Sequence, residues 1–253
     1  MGKIVAFANQ KGGIGKTTSA INIAASVAAQ GKKVLLVDCD PQGNSSSGLG
    51  INKKNLKIST YDLLVGRTDA ADAVVSTAYE NLSVIPTNIS LAGAEFELIQ
   101  LDDRAFRMKN GLEKLREAFD YIFIDCPPSL GILTINALVS ADGVIIPMQC
   151  EYFALEGLSQ LMVTVRKIKE LYNPELDITG ILITMYNGRL NLSTQVLSEL
   201  KKYYADKLFK EPIPRSVRLS EAPSYGMPIT HYDKSSKGGE AYAAVAAELM
   251  RRI

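Results

Sequence analysis

The sequence predicts an α/β fold, a mostly parallel twisted sheet with helices on both faces, and three observations predict it. The first is a set of short apolar runs: Ile4–Ala8, Val34–Val37, Leu82–Ile85, Tyr121–Ile124, Val144–Met148 and Ile178–Thr184. They are near-continuous Val, Ile, Leu and Phe with little in–out alternation, the pattern of strands buried on both faces. The second is the helical periodicity around residues 17–29, 104–118, 130–139, 154–172, 191–205 and 239–252. The third is their order. Strand–helix–strand repetition builds parallel neighbours, because a crossover helix returns the chain to the same end of the sheet.

Composition sets the outer limits. Of 253 residues, 47% are hydrophobic and 22% charged, and 28 Lys/Arg against 27 Asp/Glu leave a net charge of +1. That excludes a disordered or fibrous chain. No apolar run approaches the length of a membrane span, and the opening Met1–Ala8 reads as a strand, not a secretory signal. Cys39, Cys126 and Cys150 show no CxxC spacing, so a disulfide framework is not expected and a reducing cytoplasm is. His231 is the single histidine, which excludes a multi-histidine metal site. With no Pro/Gly/Ser-rich linker and no internal repeat, residues 1–253 are expected to form one domain. The polar loop Pro41–Lys57, rich in Gly, Ser and Asn, is long enough to be functional. Charge is uneven: residues 1–165 carry 14 Lys/Arg against 17 Asp/Glu, and residues 166–253 carry 14 against 10.

In such sheets ligands bind beyond the carboxyl ends of the strands, and three motifs stand there. The first run is followed by Asn9-Gln10-Lys11-Gly12-Gly13-Ile14-Gly15-Lys16-Thr17-Thr18 and a helix. Glycines let successive N–H groups turn toward phosphate oxygens, and the helix N-terminus adds its dipole. Lys16 is placed to reach the β- and γ-phosphates and the Thr17 hydroxyl to ligate Mg²⁺. The general GxxxxGK[ST] pattern would need glycine at position 10, where this chain has Gln10. The second motif, Val34–Asn44, ends a strand with Asp38 and Asp40 two residues apart, facing the same way and able to serve a metal and a water. In the third, the apolar strand Tyr121–Ile124 ends in Asp125, the Walker B arrangement for holding Mg²⁺. Guanine specificity lacks its usual NKxD, since Asn52-Lys53-Lys54-Asn55 ends in the wrong residue, so ATP is the expected nucleotide.

The stretch Lys11–Thr18 resembles KGGxGKTT, the deviant Walker A box of the ParA/MinD superfamily. The run Val37–Asn44 looks like its switch I, and Asp125–Gly131 like its switch II. Segments 92–95, 149–157 and 213–223 extend the likeness along nearly the whole chain and favour the chromosomal ParA (Soj) branch. The resemblance implies that Lys11 reaches across a homodimer to the partner's nucleotide, with Gly12 where the two subunits approach. It implies that Asp40 orients the attacking water and that the adenine lies between the loop after Thr184 and the segment Pro212-Ile213-Pro214-Arg215. Arg189 and Arg218 match arginines thought to touch DNA, and Lys201 and Lys202 are expected to add to that face. The implied protein is a nucleoid-associated partition ATPase. Its ATP-bound dimer binds double-stranded DNA without sequence preference and is released when a ParB-type partner stimulates hydrolysis.

Two relatives remain as alternatives: a small-molecule ligase of the dethiobiotin-synthetase kind, and a MinD-like division-site ATPase. The last helix is Ala-rich and the chain stops three residues after Met250, so no membrane anchor of the MinD kind is expected. An iron-protein cluster is not expected either. Cys39 and Cys126 read as small packed side chains.

Overall fold

The computed structural model describes all residues, Met1–Ile253. β1 (Lys3–Phe7) leads through the glycine-rich loop into α1 (Lys16–Ala28), then β2 (Val34–Asp38), α2 (Asn44–Gly48) and α3 (Thr60–Val65). β3 (Val75–Ser76), β4 (Leu82–Ile85), α4 (Leu91–Ile99), α5 (Arg107–Glu113), β5 (Tyr121–Asp125) and α6 (Ile132–Ser140) follow. The remainder is β6 (Gly143–Met148), α7 (Ala154–Leu171), β7 (Asp177–Ile183), α8 (Asn191–Tyr204), α9 (Val217–Glu221), α10 (Ile229–Tyr232) and α11 (Lys237–Arg252). No helix is long and apolar enough to cross a membrane.

The sheet order is β3-β4-β2-β5-β1-β6-β7. Every neighbouring pair is parallel except β3, a two-residue strand antiparallel to β4. Alternate residues of β1 point to opposite faces. Ile4, Ala6 and Ala8 join the core under α3–α8, while Val5 and Phe7 join the core under α1, α10 and α11. Both faces are buried, which is why the strands show no alternation. The chain leaves β1 for β2 on one side of the sheet and later supplies β6 on the other. A crevice therefore opens beyond β1, and the register sets Asp38 beside Asp125 at its edge.

β7 is an edge strand, and it is covered. Ile181 N donates to Lys207 O at 2.8 Å, Phe209 N to Ile181 O at 3.0 Å and Ile213 N to Ile183 O at 2.8 Å. This strap delivers Pro214 and Arg215 to the crevice. Arg252 fastens it from α11, donating to Thr179 O at 2.9 Å and Lys207 O at 3.1 Å, with its guanidinium over the Phe209 ring.

Several elements depart from the sequence reading. The helix expected over 104–118 is α-helical only at Arg107–Glu113. The loop 41–57 contains α2 and a 3-10 turn at Lys53–Asn55. β3, α3, α4, α9 and α10 were not expected. All but α4 are six residues or shorter, too short for periodicity to register. α4 is apolar nearly all round: Leu91, Ala94 and Leu98 are buried while Phe96 and Ile99 stay exposed, which blurs its helical stripe.

Candidate nucleotide site

The glycine-rich loop is anchored on both sides. Asn9 Nδ2 donates to Pro147 O at 2.8 Å, its Oδ1 accepts from Lys11 N at 3.1 Å, and Thr184 Oγ1 donates to Ile14 O at 2.7 Å. Gly13 (φ 71°) and Gly15 (φ 84°) occupy the left-handed region, where a side chain is strained. Gly15 also begins α1, whose first turn holds no acidic residue. The positive end of that helix is thus left for an anion.

Lys16 lies along this loop, 6% exposed, with Nζ donating to Lys11 O at 2.9 Å. Burial pulls its ammonium below the ordinary lysine value, and the nearby Asp125 carboxylate pulls it partly back. Lys11 points outward instead, and its ammonium pairs with the Glu151 carboxylate, both side chains about half exposed. Gly12 is exposed, and a Cβ there would meet only Pro128 Cβ at 3.9 Å. Nothing within this subunit forbids a side chain at position 12.

The carboxylates gather opposite the loop. Asp125 is fully buried; its Oδ2 accepts from Ser45 Oγ at 2.8 Å, and Oδ1 has no hydrogen-bond partner. Burial raises its pKa to about 7, the Asp38 carboxylate adds to the rise, and the Thr17 and Ser45 hydroxyls oppose it. Asp38 is also fully buried and accepts from Ser46 N at 2.7 Å and Ser46 Oγ at 2.6 Å; burial lifts its pKa to about 6. Asp40 sits at 8% exposure and accepts from Gln42 N at 3.0 Å. Thr17, Asp40 and Asp125 supply hard oxygen donors but no complete protein cage. That suits Mg²⁺, which keeps waters and phosphate oxygens in its shell. Among His, Cys, Asp and Glu side chains, no group of three or more is placed to hold a metal alone. Cys39 and Cys126 are fully buried, and burial pushes both thiols up, away from thiolate chemistry.

A cleft of about 530 Å³ continues from the loop, lined by Gly13, Gly15, Thr18, Thr184, Pro214 and Arg215 among others. Met185, in the loop after Thr184 that was expected near the adenine, lines it too, as do Gln149, Glu151 and Ser216, which sequence reasoning did not place there. Met185 holds a positive φ of 49°, uncommon for a long side chain and concentrated at functional sites. Gln149 Nε2 donates to Gly13 O at 3.2 Å. No local spacing marks these residues; only the sheet brings their loops together.

The four basic residues are less tightly grouped. Arg189 is exposed in the β7–α8 loop, and the backbone bridge between Tyr186 and Pro214 sets that loop beside the segment entering α9. Arg218 on α9 is paired with Glu221 at 3.2 Å and Asp233 at 3.4 Å. Lys201 and Lys202 are exposed in the last turn of α8, roughly 15 Å along the helix from the Arg189 end. Lys202 pairs with Glu199 at 2.5 Å.

The chain is similar to known proteins. A family described as "AAA domain" matches residues 2–178. The chain is 55% identical over 249 residues to the sporulation initiation inhibitor protein Soj of Bacillus subtilis, covering 98% of each chain. It is 50% identical over 252 residues to the chromosome partitioning protein ParA of Myxococcus xanthus, covering 100% of this chain and 89% of that one. Among solved structures, one described as cobyrinic acid a,c-diamide synthase from Mycobacterium smegmatis with bound ADP and magnesium superposes with a TM-score of 0.87. That structure is 38% identical, over 99% of this chain and 95% of that one. With its deviant glycine-rich loop between β1 and α1 and paired aspartates on β2 and β5, the chain belongs to the Soj branch of the ParA/MinD superfamily of P-loop ATPases.

Proposed function

We propose that residues 1–253 act as one ATP-driven partition switch: an Mg²⁺-dependent ATPase that dimerises on ATP, binds DNA through its basic end, and lets go on hydrolysis. The arrangement that carries this reading is the contrast between the two lysines of the loop: Lys16 is buried, while Lys11 points outward beside the exposed Gly12. Lys16 serves its own subunit's nucleotide from inside the loop; Lys11 is free to serve another's once it exchanges Glu151 for a phosphate. The chain has no arginine in its loop or switches to act as a finger in cis, so slow basal turnover follows.

Bound Mg²⁺ neutralises charge developing on the transferred phosphoryl group. Thr17 and Asp125 would hold the metal, and Asp40 would orient the attacking water. Ordered N–H groups of the loop bind the phosphates, while Pro214, Arg215 and Met185 flank the base. Arg189 and Arg218, with Lys201 and Lys202 further along, contact backbone phosphates, so sequence matters little. A ParB-type protein is the proposed trigger of hydrolysis. The name borne by the Mycobacterium smegmatis structure keeps a small-molecule ligase as the rival reading.

Sizing the protein with ADP and with ATP, with and without duplex DNA, tests the switch. A dimer forming only with ATP and capturing DNA is expected. A monomer in every state, or turnover that ignores DNA and needs a small substrate, overturns it.

A further inference from the structure

Asp125 Oδ2 accepts from Ser45 Oγ at 2.8 Å, while the buried Oδ1 meets no donor at hydrogen-bonding geometry even though the Thr17 hydroxyl is close enough to stabilise the carboxylate. An unmatched buried acceptor costs more than an ordinary hydrogen bond contributes, so a native chain that keeps one calls for a reason. Ser45 is itself fully buried, in the first turn of α2, immediately after the segment that carries Asp40. The chain enters α2 through Gly43 at φ 63°, where a Cβ would lie 2.9 Å from Thr87 O. The helix is therefore held in one orientation. Its two consecutive hydroxyls fall on two different carboxylates, Ser45 on Asp125 and Ser46 on Asp38.

We propose that Ser45 is a positioning residue of the magnesium site. By donating to Oδ2 it selects the rotation of the Asp125 carboxylate that leaves Oδ1 for the hydrated metal. By the same bond it ties the Asp40 segment to the metal-binding strand end. The carboxylate torsion is soft and two-fold, so without an outer donor both orientations become available. Donors behind a metal-facing carboxylate commonly carry tenfold or more in metal affinity. The inference rests on reading Asp125 as the metal-side carboxylate, and the test separates the two.

A fluorescent ADP analogue is bound to the intact protein in EDTA and then titrated with MgCl₂, for the wild type, Ser45→Ala, Ser45→Thr and Asp125→Asn. Ser45→Ala should shift the Mg²⁺ midpoint upward about tenfold while nucleotide affinity in EDTA stays within about twofold. Ser45→Thr, which keeps a hydroxyl, should recover most of the shift. Should Ser45→Ala not fold, Ser45→Cys replaces the hydroxyl by a weak donor of similar size and must show the same direction of shift. An unmoved Mg²⁺ midpoint overturns the proposal, as does an equal loss with and without the metal, which is what a merely structural serine would give. If instead the wild type shows no Mg²⁺ response, or Asp125→Asn keeps it, the metal reading of Asp125 is itself wrong.

Discussion

The strand-end crevice and the basic end of the molecule are built by opposite rules. In the crevice, Asp38 and Asp125 are fully buried, Lys16 is 6% exposed, and hydroxyls or backbone groups of the loop, α2 and α3 hold them. At the basic end, Arg189, Lys201, Lys202 and Arg218 stand in solvent, and two of the four are already occupied by acidic neighbours. Buried charge is tolerated only where geometry is fixed, so the crevice works by pre-organisation. Exposed ion pairs contribute little individually, so the basic end can work only by number. Under the proposed function, a doubled set in an ATP-bound dimer would reach that number, since counterion release scales with the phosphates contacted.

Substituting a crevice residue should therefore remove an activity outright. Lys16→Ala should lower nucleotide affinity by about 100-fold or more, on the order of 3 kcal/mol for a buried charge-assisted contact; calorimetric titration with ATP and ADP reads it, and unchanged affinity breaks the assignment. Asp125→Asn should abolish the Mg²⁺ response yet melt higher than the wild type without ligand at pH 8, by roughly 3 °C, because a neutral amide removes a buried charge. A lower ligand-free melting temperature would mean the carboxylate is structural.

At the basic end losses should be graded. Arg189→Glu should weaken ATP-dependent DNA binding about tenfold at moderate salt and flatten the salt slope, in mobility shifts over a salt series. Arg218→Glu should do the same and also lower thermal stability, since it faces Glu221 and Asp233. Full DNA binding by both variants would remove the basic end from the function.

The crevice carboxylates also make stability depend on pH. Asp38 and Asp125 have folded-state pKa values of about 6 and about 7, raised from an unfolded value of 3.8. Between roughly pH 4 and pH 7 the unfolded chain has released protons that the folded chain still holds. Ligand-free stability contributed by these groups should thus be full below pH 4 and decline as pH rises through 7, in denaturant titrations. Asp125→Asn should flatten the upper part of that decline; a variant profile identical to that of the wild type would break the link to this carboxylate. The smallest effect on stability belongs to Gly12→Val, within about 0.5 kcal/mol, because its Cβ finds only one neighbour at van der Waals distance. The same variant should bind ATP and fail to dimerise on a sizing column.

How legible each region was follows from the same contrast. The phosphate loop could be read because its chemistry is local: Gly13, Gly15, Lys16 and Thr17 act from adjacent positions on one turn, so the spacing is the geometry. Asp125 could be read because an apolar run that ends in an acid sets a carboxylate at the ligand-binding edge of a parallel sheet. Ser45 and Glu151 could not, since the first meets its partner 80 residues away and the second 140. The short and edge elements β3, α3, α9 and α10 were invisible for lack of length, not of signal strength.

Fold class, the order of the motifs along the chain, and the end of the sheet that carries the chemistry were all legible without a structure. Those depend on burial patterns and on contiguous residues, and both are written in one dimension. Only the folded chain showed that Asp38 lies beside Asp125, that α2 lays consecutive hydroxyls on the two of them, and that a strap paired to β7 is what carries Pro214 and Arg215 to the crevice where they were expected. Each joins segments far apart in sequence through sheet register and edge pairing, and register is settled by how all the strands pack together, not by any one of them.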